Sequence, residues 1–150
     1  MSREESFRKR LEKLFDNQSL GVLSTCREGC AYSSLVGFVA TGDHKHIVFA
    51  TLRDTRKYAN MQGNEHVSIL IDSRTNSVDD FRDAVAVTAI GTAREAEGPG
   101  REALAALYLK KHYHLRDFLA DPNCAVMAVQ VHRYILVSRF QQVLEMEMNP

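Results

Sequence analysis

The sequence has no tryptophan, and only three cysteines and three prolines among its 150 residues. An odd, small cysteine count does not make a disulfide framework, so a reducing compartment is expected. No apolar run is long enough for a membrane span. The start, "MSREESFRKRLEKLF", is charged throughout and unlike a secretory leader. A cytoplasmic protein without a membrane anchor is therefore expected. An excess of one charge is also missing: Lys+Arg and Asp+Glu are both 19. That balance favours neither nucleic acid nor a membrane surface as partner. There is no G-x-G-x-x-G, no P-loop, no internal repeat and no low-complexity stretch. No Ser/His/Asp order or carboxylate pair points to hydrolysis.

What is present suits one domain over residues 1–150, 45% hydrophobic and 25% charged. Ser2 and Glu5 fit a capping box, and Phe7, Leu11, Leu14 and Phe15 recur at helical spacing. A helix is expected over 3–16. Strands are expected at 19–26, 30–41, 47–51, 66–72 and 84–96, with Gly91 at a bulge. Residues 55–62 read as a short helix and 73–83 as a polar loop. "EGPG" (97–100) breaks the chain before a helix or helix pair over 101–119. Residues 124–140 close the chain as one long strand or two. Short connections favour antiparallel pairing. The expected class is mainly β or α+β: six antiparallel strands in a closed or partly closed barrel, with flanking helices.

One segment carries the site argument, "FATLRDTRKYANM" (49–61). Asp54 is a reasonable N-cap, placing Thr55, Arg56 and Lys57 in the first helical turn. That end of a helix already carries partial positive charge, so two cations there are unfavourable by about 0.3–1 kcal/mol each. An anion in front of them reverses the sign. A phosphate could be held by backbone N–H groups, the Thr55 hydroxyl, a bidentate Arg56 and the point charge of Lys57. On charge alone, a solvated basic turn partly neutralised by Asp54 reads slightly better.

The segment resembles the phosphate-binding stretch of the pyridoxamine 5′-phosphate oxidase-like flavoproteins, the FMN-binding split-barrel family. The shared pattern is an aromatic-ended strand, a Thr, a short turn, then Ser/Thr-Arg-Lys opening a helix. "GVLSTCREGCAYSSLVGFVA", "GNEHVSILI" and "AVTAIGTAREAEG" resemble the family's flanking strands. The resemblance runs over roughly residues 18–140. It implies a homodimer of split barrels with FMN in each interface cleft and a small-molecule substrate. It implies that Arg56 and Lys57 hold the FMN phosphate, with hydroxyls from Thr51 and Thr55. Ser33, Ser34, Leu35 and Val36 would lie along the ribityl chain and ring, partly through backbone groups. Phe81 and Arg82 would reach the FMN of the partner subunit. The implied activity is an FMN-dependent oxidoreductase, with a reduced nicotinamide or another donor. The alternative is a flavin, deazaflavin or haem carrier, or an electron-transfer protein, of the same fold.

The chain departs from the oxidases that name the family. Ser34 stands in place of an Arg, Ala86 at about the place of a Gln, and the Trp-bearing end is missing. Without those cations a phosphorylated pyridoxine has no Arg clamp, so the resemblance implies FMN and leaves the substrate open. His44/His46 and His112/His114 form H-x-H pairs but lack further ligands, and read as solvated turn residues rather than a metal site. Cys26 and Cys30 read as small strand residues. Tyr108, His112 and Tyr113 read mostly as core, with one possible ring over the flavin.

Overall fold

The computed structural model describes every residue, Met1–Pro150. Helix α1 (Arg3–Asn17) starts at a complete capping box between Ser2 and Glu5. The strands are β1 (Leu20–Arg27), β2 (Cys30–Ala40), β3 (His46–Leu52), β4 (His66–Asp72), β5 (Val85–Glu95), β6 (Cys124–Ser138) and β7 (Gln142–Glu147). Helix α2 (Arg56–Gly63) follows β3, and α3 (Asp80–Asp83) precedes β5. Between β5 and β6 lie α4 (Gly98–Lys111), a 3-10 turn (Tyr113–Leu115) and α5 (Arg116–Ala120).

The pairing order is β3-β2-β1-β4-β5-β6-β7, and β3 also pairs with β6. Six antiparallel strands thus close on themselves, and β7 continues beside β6. Alternation sets the faces. Leu23, Phe38, Ile47, Ile69, Ala89 and Leu136 are fully buried inside the barrel. Phe7, Leu11, Leu14 and Phe15 of α1 join that core. A second, smaller cluster lies outside β2, β3 and β6, under α4 and α5. No helix is long and apolar enough to cross a membrane.

Five expectations need correction. The cap of α2 is Thr55 rather than Asp54: its Oγ1 accepts from the Tyr58 N–H at 3.4 Å. The 73–83 loop contains α3, organised by the Asp80 carboxylate, which accepts from the Thr75 and Asn76 N–H groups. Residues 98–100 are the first turn of α4, with Pro99 where a missing N–H costs nothing. The strand β7 was not expected. Arg139 and Phe140 turn the chain with φ of 51° and 57°, a conformation usually left to Gly or Asn, so no local turn signal marked it. Finally, His44 and His112 are buried rather than solvated. His112 Nε2 lies 2.7 Å from the Phe38 carbonyl. Burial pushes the pKa of both rings down.

Gly91 sits at a register shift between β5 and β6, where a Cβ would collide with the Gln130 carbonyl. The expected bulge is there because only glycine allows that approach.

Candidate functional site

The barrel is split between β2 and β3. These strands pair only over Phe38–Ala40 and Ile47–Phe49. Above that, β2 pairs with β1 along one edge, and no strand lies along its other edge. The backbone groups of Cys30–Gly37 on that side are open to a ligand. An unpaired edge of this length invites either a ligand or another chain.

The turn from β3 into α2 stands across the opening. Thr51 is buried, and its hydroxyl lies 2.9 Å from that of Thr55. Both hydroxyls also lie about 3 Å from the Leu52 carbonyl, at 3.0 and 2.9 Å. Two protons serve three contacts, so Thr51 braces Thr55 from behind while Thr55 caps the helix.

The three cations of the segment have different duties. Arg53 donates to Glu95 at 2.7 Å and to the Pro122 carbonyl at 2.9 Å. Tyr58 donates to the other Glu95 oxygen at 2.7 Å. Arg53 holds Glu95 below the usual carboxylate range, chiefly through that hydrogen bond. Arg56 and Lys57 form no ion pair. The Arg56 guanidinium lies 5.3 Å from the ring centre of Tyr32, on the open stretch of β2. Two cations without ion-pair partners therefore stand at a helix start, and Arg56 faces the unpaired strand edge.

The β2 residues divide by face. Ser33 and Leu35 point outward and are exposed, Leu35 at 64%. Ser34 and Val36 point inward; Val36 packs in the core, so only its backbone could meet a ligand. Ser34 Oγ is the one buried side-chain polar atom without a hydrogen-bond partner. Such an atom carries a real cost unless something satisfies it.

Phe81 and Arg82 are not brought to this place. They precede Val85, whereas Arg53 and Tyr58 hold Glu95 at the opposite end of β5. Phe81 instead packs on Phe140, ring centres 5.3 Å apart, and Arg82 pairs with Asp83. The only local signal for Tyr32 beside Arg56 is an aromatic two residues after Cys30. A cavity of about 730 Å³ lies elsewhere, between α1 and β7. The split lies open along the unpaired edge of β2.

Residues 7–138 match the family described as pyridoxamine 5′-phosphate oxidase. The comparison with curated proteins gives no match. Among solved structures, a heme binding protein from Mycobacterium smegmatis is 20% identical with a TM-score of 0.80. The match covers 89% of this chain and 55% of that longer one. General Stress Protein 26 from Bacillus anthracis is 19% identical with a TM-score of 0.71, covering 93% and 98%. A FAD-binding protein from Mesorhizobium loti is 15% identical with a TM-score of 0.66, covering 92% and 90%. At these identities the likeness is one of fold.

Proposed function

The chain belongs to the pyridoxamine 5′-phosphate oxidase family, and on that premise we propose that it binds FMN and acts as a homodimeric, FMN-dependent oxidoreductase. The observation that carries the reading is the pairing of two uncommitted cations, Arg56 and Lys57, with the open edge of β2 across the split. Thr55 and the first N–H groups of α2 would complete a phosphate cradle. The edge of Ser33–Val36 would supply N–H and C=O groups to the polar end of a flat ring. FMN, when bound, supplies the hydride and electron chemistry. The chain's part is to orient it, set its hydrogen bonds and exclude water.

A second copy is supported by the outer barrel face. Leu35, Val22, Leu70, Thr88 and Ile135 stand in one cross-strand row. All five keep part of their surface exposed. A stripe of this kind, apolar but for Thr88, is expected to be covered. Its end, Leu35, borders the split, so the covering subunit would wall the cleft. Phe81 and Arg82, remote from Arg56 within one subunit, would act only on the cofactor of the other.

The test is the visible spectrum and mass of whatever copurifies, followed by titration of the colourless protein with FMN. A flavin spectrum and micromolar FMN uptake support the reading. A Soret band with no FMN uptake would assign the cleft to haem, and a deazaflavin band to that carrier; either result overturns it. Turnover of NADH or NADPH by the flavin-loaded protein then separates oxidoreductase from carrier.

A further inference from the structure

We infer a second anion site at the opposite mouth of the barrel, where Arg10, Arg82 and Arg139 converge to hold the phosphate of a small organic phosphate. The three arginines come from α1, α3 and the β6–β7 turn, and they line one cavity of about 450 Å³ with Asp83, Ser138 and Gln142. Three cations there face one carboxylate of the lining. Arg82 is already committed, donating to both Asp83 oxygens at 3.0 and 3.2 Å, with Asp79 at 3.8 Å on its other side. Arg10 and Arg139 make no hydrogen bond or ion pair through their guanidinium groups. Arg139 is close enough to Asp83 to help lower its pKa, after the larger effect of Arg82. Two unneutralised guanidinium groups beside a completed ion pair repel each other unless an anion joins them, and a phosphate accepts from both.

The chain accepts a backbone cost to present one of them. Arg139 sits at φ 51°, in a two-residue left-handed turn where glycine would be easier. The cavity runs into a second of about 370 Å³, which shares Arg10 and Asp83 and adds Lys13, Asn17 and Ser73. That trough along α1, lined by Leu14 and Val85 as well as by polar side chains, gives the body of the ligand somewhere to lie, with Lys13 one helical turn from Arg10. The ligand class is therefore a phosphate on an organic group rather than a bare ion.

Within one subunit the site stands away from Arg56 and Lys57. It lies beside Val85, and β5 places it roughly 30 Å along the strand from Glu95, at about 3.3 Å per residue. Its test uses the full chain with Arg56→Ser and Lys57→Ser already in place, so that the first set of cations does not compete. Calorimetry at low salt would follow titration with pyrophosphate and, separately, adenosine monophosphate. Both should bind at millimolar concentration or better. Adding Arg10→Ser and Arg139→Ser should weaken both by about tenfold or more, the size expected for losing charge-assisted hydrogen bonds. The unfolding midpoint of the same variants shows whether they fold. Absence of heat with either ligand, or affinity unchanged in folded Arg10→Ser/Arg139→Ser protein, sinks the site. Arg82→Ser gives a second check should the double variant fail to fold: it breaks the pair with Asp83, frees a carboxylate into the cavity and should also weaken binding.

Discussion

The Arg53 guanidinium donates to the Glu95 carboxylate at 2.7 Å, tying the turn after β3 to the end of β5. That bond sorts the cations of the segment: one is structural, and the two after it stay free. Glu95 has its pKa lowered by Arg53, so the folded state binds its proton less readily than the unfolded chain does. Its stabilising contribution is present above the ordinary carboxylate range and is lost as pH falls through the lowered value. Glu95→Gln should therefore lower the thermal midpoint by a few degrees at pH 7 and flatten the acid limb of stability. Melting curves over a pH series check it.

Arg56→Ala with Lys57→Ala should weaken FMN by about a hundredfold or more, taking about 1.5–3 kcal/mol for each charged contact. The same variant should leave the ligand-free protein as stable or slightly more so, because cations at a helix start are unfavourable. Quenching of flavin fluorescence measures the first effect and urea unfolding the second. Unchanged FMN affinity would remove the phosphate cradle from this turn.

Lys111 carries a different pH signature. Its Nζ donates to the Phe15 and Gln18 carbonyls at 2.9 and 2.7 Å, at the end of α1. Burial pushes its pKa down to about 8. The unfolded chain then binds more protons from this group between about pH 8 and the ordinary lysine range, so stability rises with pH across that window. The wild-type slope minus that of Lys111→Met should be positive there. A zero or negative difference in urea midpoints contradicts the burial.

Two glycines should respond with opposite signs. Gly91→Ala drives a Cβ into the Gln130 carbonyl at the bulge and should cost about 1–3 kcal/mol. Gly100→Ala, in the first turn of α4 with open space around it, should stabilise by about 0.5–1 kcal/mol. Denaturant midpoints of the two variants decide both.

Leu70→Glu, in the middle of the outer apolar row, should turn a dimer into a monomer without unfolding it, since the side chain already keeps part of its surface in water. Sedimentation at micromolar protein, with a circular dichroism control, reads the change. An unchanged mass would mean that the dimer, if formed, uses another face.

The strands were legible because alternation is local. In "GVLST" and "HVSILI" every second residue goes inward, and the chain needs only its neighbours to show it. The capping box of α1 and the glycine at the β5 bulge were equally local. The seventh strand had the same kind of signal, since Leu144, Met146 and Met148 alternate with Glu145 and Glu147. Its turn hides it, because two non-glycine residues there take positive φ. Thr55 displaced Asp54 as cap because Thr51, itself buried, holds the Thr55 hydroxyl in position.

The sequence alone therefore determined the antiparallel barrel, the helices at its start, after β3 and before β6, and the place of two adjacent cations, all properties of residues within a few positions of one another. Only the tertiary structure decided which cation is committed, where the split falls and which histidines are buried. Glu95 stands 42 residues from Arg53, and the Gly37 carbonyl that holds Tyr108 stands 71 residues from it. Such partners are chosen by how the closed sheet brings distant strands together, and no local pattern records that choice.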